Sequence, residues 1–384
     1  MNNKQRTTRY ALPKGTPYGG RTTHDANGFT LVELVVAIGI MALVILFAGT
    51  VFKASIGSYR IASAQAEIMQ KFRAITQQLD NDFRGLRKDA PLFIWFQKGP
   101  NGADDPNRLD QIMFFADGDF QSTQTYNTDA NGFLAPQPSG SPVISNLARI
   151  YYGQAQSIDP QDNTFKSPIA LRPVDRILSR RQHLSIANQG SGPQYVQFPA
   201  HNNISDVIVV DPIQNNWFEH DTNSLSQWQA AAQNSTSVDN IITGCFGNNY
   251  PRIDLANANT LHLLMTQKVG NFSVQWSYLF TNAGQTFIYW WPSNDPDGNP
   301  VTLDSDFDKM IADHSLLTPA FGVCFNVATP SVSGWFLPAS VSGYHFAGSS
   351  TFYPVVLKFT FTLYDSRGVF KDGQTFTHIV YLGD

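Results

Sequence analysis

Two cysteines, Cys245 and Cys324, are all that 384 residues contain, and charged side chains make up only 15% of them. So few thiols exclude a disulfide-built scaffold, and the fold must rest on a buried core, which a chain of this length can supply. The eight histidines are scattered, with no His-x-x-x-His pair, and no Cys-x-x-Cys is present, so zinc has no sequence support. A Gly-x-Ser-x-Gly elbow and a phosphate-binding glycine loop are missing as well. No period repeats along the chain. With none of these signatures, a membrane-anchored enzyme has no clustered chemistry to stand on, and no cofactor is expected. Abundant aromatics, 13% of the chain, with Asn, Gln, Ser, Gly and Pro, suit a β-rich surface protein.

Charge is unevenly placed. Residues 1–28 hold Lys4, Arg6, Arg9, Lys14 and Arg21 against Asp25 alone, while the rest of the chain holds twenty-one basic and twenty-nine acidic residues. An acidic body argues against nucleic acid as a partner. From Phe29 to Phe52 the only charge is Glu33, and no proline intervenes. Twenty-four residues of helix span about 36 Å, enough to cross a bilayer. The basic leader before this run predicts a cytoplasmic N-terminus and an exported body. A secretory signal has a shorter apolar core with its cut site after it, whereas here the conspicuous Gly28 stands before the run.

The helical pattern continues past Lys53. Ile61, Ile68, Phe72, Ile75, Leu79, Phe83 and Leu86 recur at spacings of three, four or seven, which is one helical face, with Gln65, Glu67, Lys71, Arg73 and Asp80 on others. The first proline after the run is Pro91, so one helix over about 29–87 is predicted, apolar all round to residue 52 and amphipathic over 53–87. Beyond it, residues 88–384 break into short apolar runs. Strands are expected at 91–96, 109–115, 147–152, 206–210, 260–265, 271–280, 286–291, 353–364 and 374–382. Phe272, Val274, Trp276 and Tyr278 alternate, as do Val355, Leu357, Phe359, Phe361 and Leu363. Asp365-Ser366-Arg367-Gly368 reads as the loop of a C-terminal hairpin, and Asp117-Gly118-Asp119 as another hairpin turn.

Three groups in the body invite a chemical reading. Asp295, Asp297 and Asn299 alternate around Gly298, as oxygen ligands do in calcium loops, although the full loop with its terminal glutamate is not there. An ordinary solvated turn uses the same residues. Cys245 and Cys324 both lie in the exported part, where they form either a disulfide or two separate buried thiols. Trp217, Trp228 and Trp335 fit core packing better than carbohydrate or partner contact.

Gly28-Phe29-Thr30-Leu31-Val32-Glu33, opening a long hydrophobic helix, resembles the N-terminal signature of the type IV pilin and type II secretion pseudopilin superfamily. The resemblance implies an α+β, pilin-like fold, with the long helix packed on an antiparallel sheet domain. It implies that a prepilin peptidase cuts after Gly28 and that the new amine of Phe29 is methylated. Glu33 would then meet the positive N-terminal amine of a neighbouring subunit, since a paired charge in lipid costs far less than a lone one. Leu79-Asp80-Asn81-Asp82-Phe83-Arg84, Ala148-Arg149-Ile150-Tyr151-Tyr152, Leu178-Ser179-Arg180, Val269 to Trp276 and Tyr353 to Phe359 follow in an order similar to the J-type minor pseudopilin or W-type minor pilin. Segments 184–260 and 296–350 look like insertions that decorate the sheet.

What the resemblance implies in function is a structural subunit, not an enzyme. It would be anchored by one span in a bacterial inner membrane, with its C-terminal domain in the periplasm and its place at a filament tip. Its partners would be other minor subunits, the major pilin, the membrane assembly platform and the prepilin peptidase. A tip adhesin using the two insertions is the alternative.

Overall fold

Residues Leu31–Arg84 form one helix, α1, close to the span the periodicity predicts. The structure is a computed structural model. It describes residues 29–97, 99, 108–128, 134–136, 140–159, 161–162, 164–185, 220–221, 224–232, 246, 250–277, 279–282, 285–288, 290, 320–325, 335–336 and 353–382. The chain divides into two compact units, Met1–Tyr59 and Arg60–Asp384. In the first, the apolar helical side chains from Leu31 to Phe52 are exposed on every side, and the helix is long and apolar enough to cross a membrane.

In the second unit the helix is covered by sheet. Ala64, Ile68, Ile75, Leu79 and Phe83 are buried, and Phe72 packs on the same core. Ile61 does not join them: it is 51% exposed, because the β body covers the helix only from Ala64 onward.

The strands fall in the order β1 Leu92–Gln97, β2 Gln111–Thr128, β3 Leu134–Pro136, β4 Ser141–Ile158, β5 Phe165–Lys166 and β6 Ile177–Ser185. Next come β7 His220–Asp221, the short helix α2 Leu225–Ala231, β8 Arg252–Ile253, β9 Leu264–Gln267 and β10 Val269–Ser277. The rest are β11 Leu279–Asn282, β12 Gln285–Ile288, β13 Ala320–Phe325, β14 Trp335–Phe336, β15 Val356–Leu363 and β16 Gln374–Tyr381. Among the described residues the main sheet runs β14-β13-β1-β2-β4-β6-β7, a second runs β10-β15-β16, and β11 pairs with β12. Among the described strands, pairing is antiparallel except for the short β4–β8 and β6–β7 contacts. The fold is therefore α+β, a long helix followed by antiparallel sheets.

Alternation explains the layers. Leu92, Ile94 and Phe96 of β1, Ile112 and Phe114 of β2, and Ile150 and Tyr152 of β4 share one face, and with the helix side chains they form the main core. Leu357, Phe359, Phe361 and Leu363 of β15 and Phe272, Val274 and Trp276 of β10 complete it. A buried ion pair joins the two sheets. Asp110 pairs with Arg108 and accepts the backbone N–H of Gln97 at 3.0 Å and of Val274 at 2.8 Å.

The opposite face of β1 and β2 is also buried. Phe93, Trp95, Met113 and Phe115 pack there with Tyr151, Trp228, Phe246 and Cys324. A strand whose every residue is buried needs cover on both faces. The described parts of the two expected insertions do not merely decorate the sheet: one covers this face and the other adds strands beside β1. Within 296–350, β13 pairs with β1 over six residue pairs from Leu92↔Phe325 to Gln97↔Ala320. Within 184–260, α2 buries Trp228 beneath the Arg149 guanidinium, 4.7 Å from its ring. Trp228 is thus core, as expected. The strand expected at 206–210 lies outside the described residues, and the one at 260–265 is a 3-10 turn, Ala258–Leu263, leading into β9.

Asp117-Gly118-Asp119 is not a hairpin turn. It lies inside β2, where the register with β4 shifts between Asp117 and Phe120. The irregularity receives the end of α1: the Asp117 N–H donates to the Gly85 carbonyl at 2.7 Å, and the Arg87 guanidinium holds the Asp117 carboxylate at 3.2 Å. The approach leaves no room for a side chain, since a Cβ at position 85 would lie 1.9 Å from the Asp117 carbonyl oxygen. Backbone atoms cannot yield as a side chain does, so Gly85→Ala should destabilise the fold by about 1–3 kcal/mol. A thermal melt of the variant unchanged from wild type would contradict that contact.

Candidate functional site

The chemistry-bearing residues of the signature sit at the start of α1. Phe29 is 85% exposed, and Thr30 stands at the N-cap. Helix starts leave backbone N–H groups without partners, and a Thr-x-x-Glu pattern satisfies two of them reciprocally. Here the Glu33 N–H donates to Thr30 Oγ1 at 3.2 Å, and the Thr30 N–H donates to Glu33 Oε2 at 2.9 Å. The Thr30 hydroxyl also reaches Glu33 Oε2, at 3.0 Å. The carboxylate that looked unprovided for in an apolar run therefore has local partners. Thr30 carries no charge, but Thr-Leu-Val-Glu is a capping pattern legible in the sequence. The capping contacts turn the carboxylate toward the helix start, beside the point where the chain would be cut.

Farther along, polar contacts tie α1 to the body. Lys71 Nζ donates to the Tyr364 carbonyl at 2.9 Å, and Glu67 accepts the Ser366 backbone N–H at 2.9 Å and its hydroxyl at 2.7 Å. Burial works against the Glu67 carboxylate, but hydrogen bonds from Lys71 and Ser366 hold its pKa below the ordinary glutamate range. The loop it grips is the expected C-terminal hairpin loop between β15 and β16. Asp365 shapes that loop by accepting the N–H groups of Arg367, Val369 and Phe370. Gly368 and Gly373 take its positive φ angles, 67° and 71°.

Other sequence candidates fare unevenly. Gly28, Cys245, Asp295, Asp297, Asn299 and Trp217 lie outside the described residues, and so does the side chain of Trp335. Cys324 is a free thiol, fully buried, and burial pushes its pKa well up. Among the described residues no three or more His, Cys, Asp or Glu side chains group as metal ligands. The structure thus brings Thr30 and Glu33 together beside Phe29.

The prokaryotic N-terminal methylation motif matches residues 23–49, a span that contains Gly28, Phe29, Thr30 and Glu33. No curated protein and no solved structure is found to match the chain.

Proposed function

We propose that the chain is a pilin-like subunit of a type IV pilus or type II secretion filament. It is cut after Gly28, methylated on Phe29 and held by α1 in the inner membrane of a bacterium until it is assembled. The observation that carries the reading is the methylation motif at the head of a helix long enough to span a bilayer. The order of segments from Leu79-Asp80 to the closing strands supports a minor subunit of the J or W type, seated at the filament tip with its body exported. Its work is mechanical. Helices bundle, and Glu33, oriented at the helix start by Thr30, pairs with the amine of a neighbouring subunit. The subunit is itself a peptidase substrate and carries out no covalent step.

A photo-crosslinking residue placed at Val36, in cells that make the full chain, tests this reading. The captured partners are expected to be short membrane proteins bearing their own Gly-Phe-Thr-Leu-x-Glu signatures. Capture of lipid alone in cells that display the filament would contradict it.

A further inference from the structure

A cluster of polar side chains meets where the last turns of α1 cross β4 and β6. Asp82 is buried. Arg180 grips it with two parallel bonds, Nε to Oδ2 at 2.7 Å and Nη2 to Oδ1 at 2.8 Å. The Tyr152 hydroxyl donates to the same carboxylate, and Gln78 Nε2 donates to Oδ1 at 3.0 Å. Tyr152 and Arg180 are cross-strand partners, so the carboxylate sits above one rung of the sheet. Burial, then the adjacent charge of Asp82, push the Tyr152 phenol well above its usual pKa, which keeps it a donor.

A buried ion pair is a poor source of stability, because desolvation consumes most of the attraction. It is a strong source of position. Suppose α1 slid one turn toward its N-terminus. Ile68 would take the place of Ala64, Phe72 that of Ile68, Leu79 that of Ile75, and Phe83 that of Leu79. These four exchanges are apolar for apolar, but Arg87 would take the buried place of Phe83 against Phe114, so the stripe opposes the slide mainly at that end. Thr76 would take the half-buried place of Phe72. The contacts of Glu67 and of Asp80 lie at part-exposed positions, where water can substitute. Asp82 has no such substitute: Leu86 would take its place, and Arg180 would face no carboxylate.

We propose that Asp82, Arg180 and Tyr152 form a register lock, which fixes where along α1 the β body sits and resists a pull on the helix toward its N-terminus. The lock rests on geometry within the body. Its use, carrying the body along when the helix is pulled during assembly, rests on the pilin-like reading above.

Paired cysteine substitutions in the full chain test the lock. His378 Nε2 lies 2.8 Å from Asp80 Oδ1, so Asp80→Cys with His378→Cys, bridged by a short bis-maleimide, reports the native register. Arg84→Cys with His378→Cys reports a one-turn slide. With the cluster intact, cross-linking should favour the first pair on the order of a hundredfold, the preference a stranded buried charge imposes. Asp82→Leu, Tyr152→Phe and Arg180→Met together should leave the melting temperature at or above wild type, yet raise the share of the second cross-link on the order of tenfold or more. If only the first pair forms in that background, the apolar core and the chain connection set the register and the lock is refuted. Should the triple variant fail to fold, Asp82→Asn in the same two cysteine backgrounds decides by the same ratio. No assembly partner enters the measurement, so its failure is distinct from failure of the pilin-like reading.

Discussion

A chain that begins at Lys88 is expected not to fold, whereas one that begins at Lys53 is expected to fold and stay in solution. The difference is the amphipathic half of α1. Ile68, Ile75, Leu79 and Phe83 are buried against Phe114, Phe359 and their neighbours, with the Phe83 and Phe114 rings stacked at 4.1 Å. Burying four such side chains contributes roughly 6–12 kcal/mol. That is of the same order as the whole stability of a typical domain, about 5–15 kcal/mol. Removing the helix would also uncover the inner face of the main sheet and take Asp82 away from Arg180. Circular dichroism melts of the two chains check this. Equal melting temperatures would mean that the sheets fold as a body of their own and that the helix merely rests on them.

The second large effect is expected from Glu33→Gln. Glutamine serves as well as glutamate at the third position of a capping box, so the start of α1 should keep its Thr30 contacts. Only the charge is lost. The β body should therefore melt as wild type, and insertion in the membrane should persist. Capture of neighbouring subunits from Val36 should fall on the order of tenfold or more, as expected when an ion pair worth over about 1.4 kcal/mol in a low-dielectric setting is removed. Glu33→Ala removes cap and charge together and serves as the comparison. If Glu33→Gln assembles at the wild-type level while Glu33→Ala does not, the carboxylate is a helix cap here and pairs with no neighbour.

What the sequence made legible was local. A run with one charge, followed by apolar residues three and four apart, marks a helix whatever the rest of the chain does, and α1 ends within three residues of the expected position. The alternation in β10 and β15 was equally plain, and the two strands pair in register from Phe272↔Phe361 to Ser277↔Val356. What escaped was distant in sequence. Nothing near Ala320 shows that it will lie beside Gln97, so in sequence β13 is hidden within an insertion. Asp82 stands three residues after Leu79, on the apolar face, and that spacing could have marked it as a buried charge. Its partners Tyr152 and Arg180 lie 70 and 98 residues away, however, and only the sheet brings them together. The Thr30–Glu33 cap was local and readable, yet the unusual charge drew attention from the commoner reason for a glutamate at a helix start.

The central claim is that this chain is processed as a pilin-like subunit, and its mature N-terminus tests that most directly. The full chain, extracted from the membranes of cells that contain the peptidase, should begin at Phe29. Intact-mass and N-terminal analysis should find the residue methylated, and Gly28→Leu should leave the leader in place. A mature protein that begins elsewhere, or that keeps Gly28 and everything before it in cells that process other such subunits, would contradict the account.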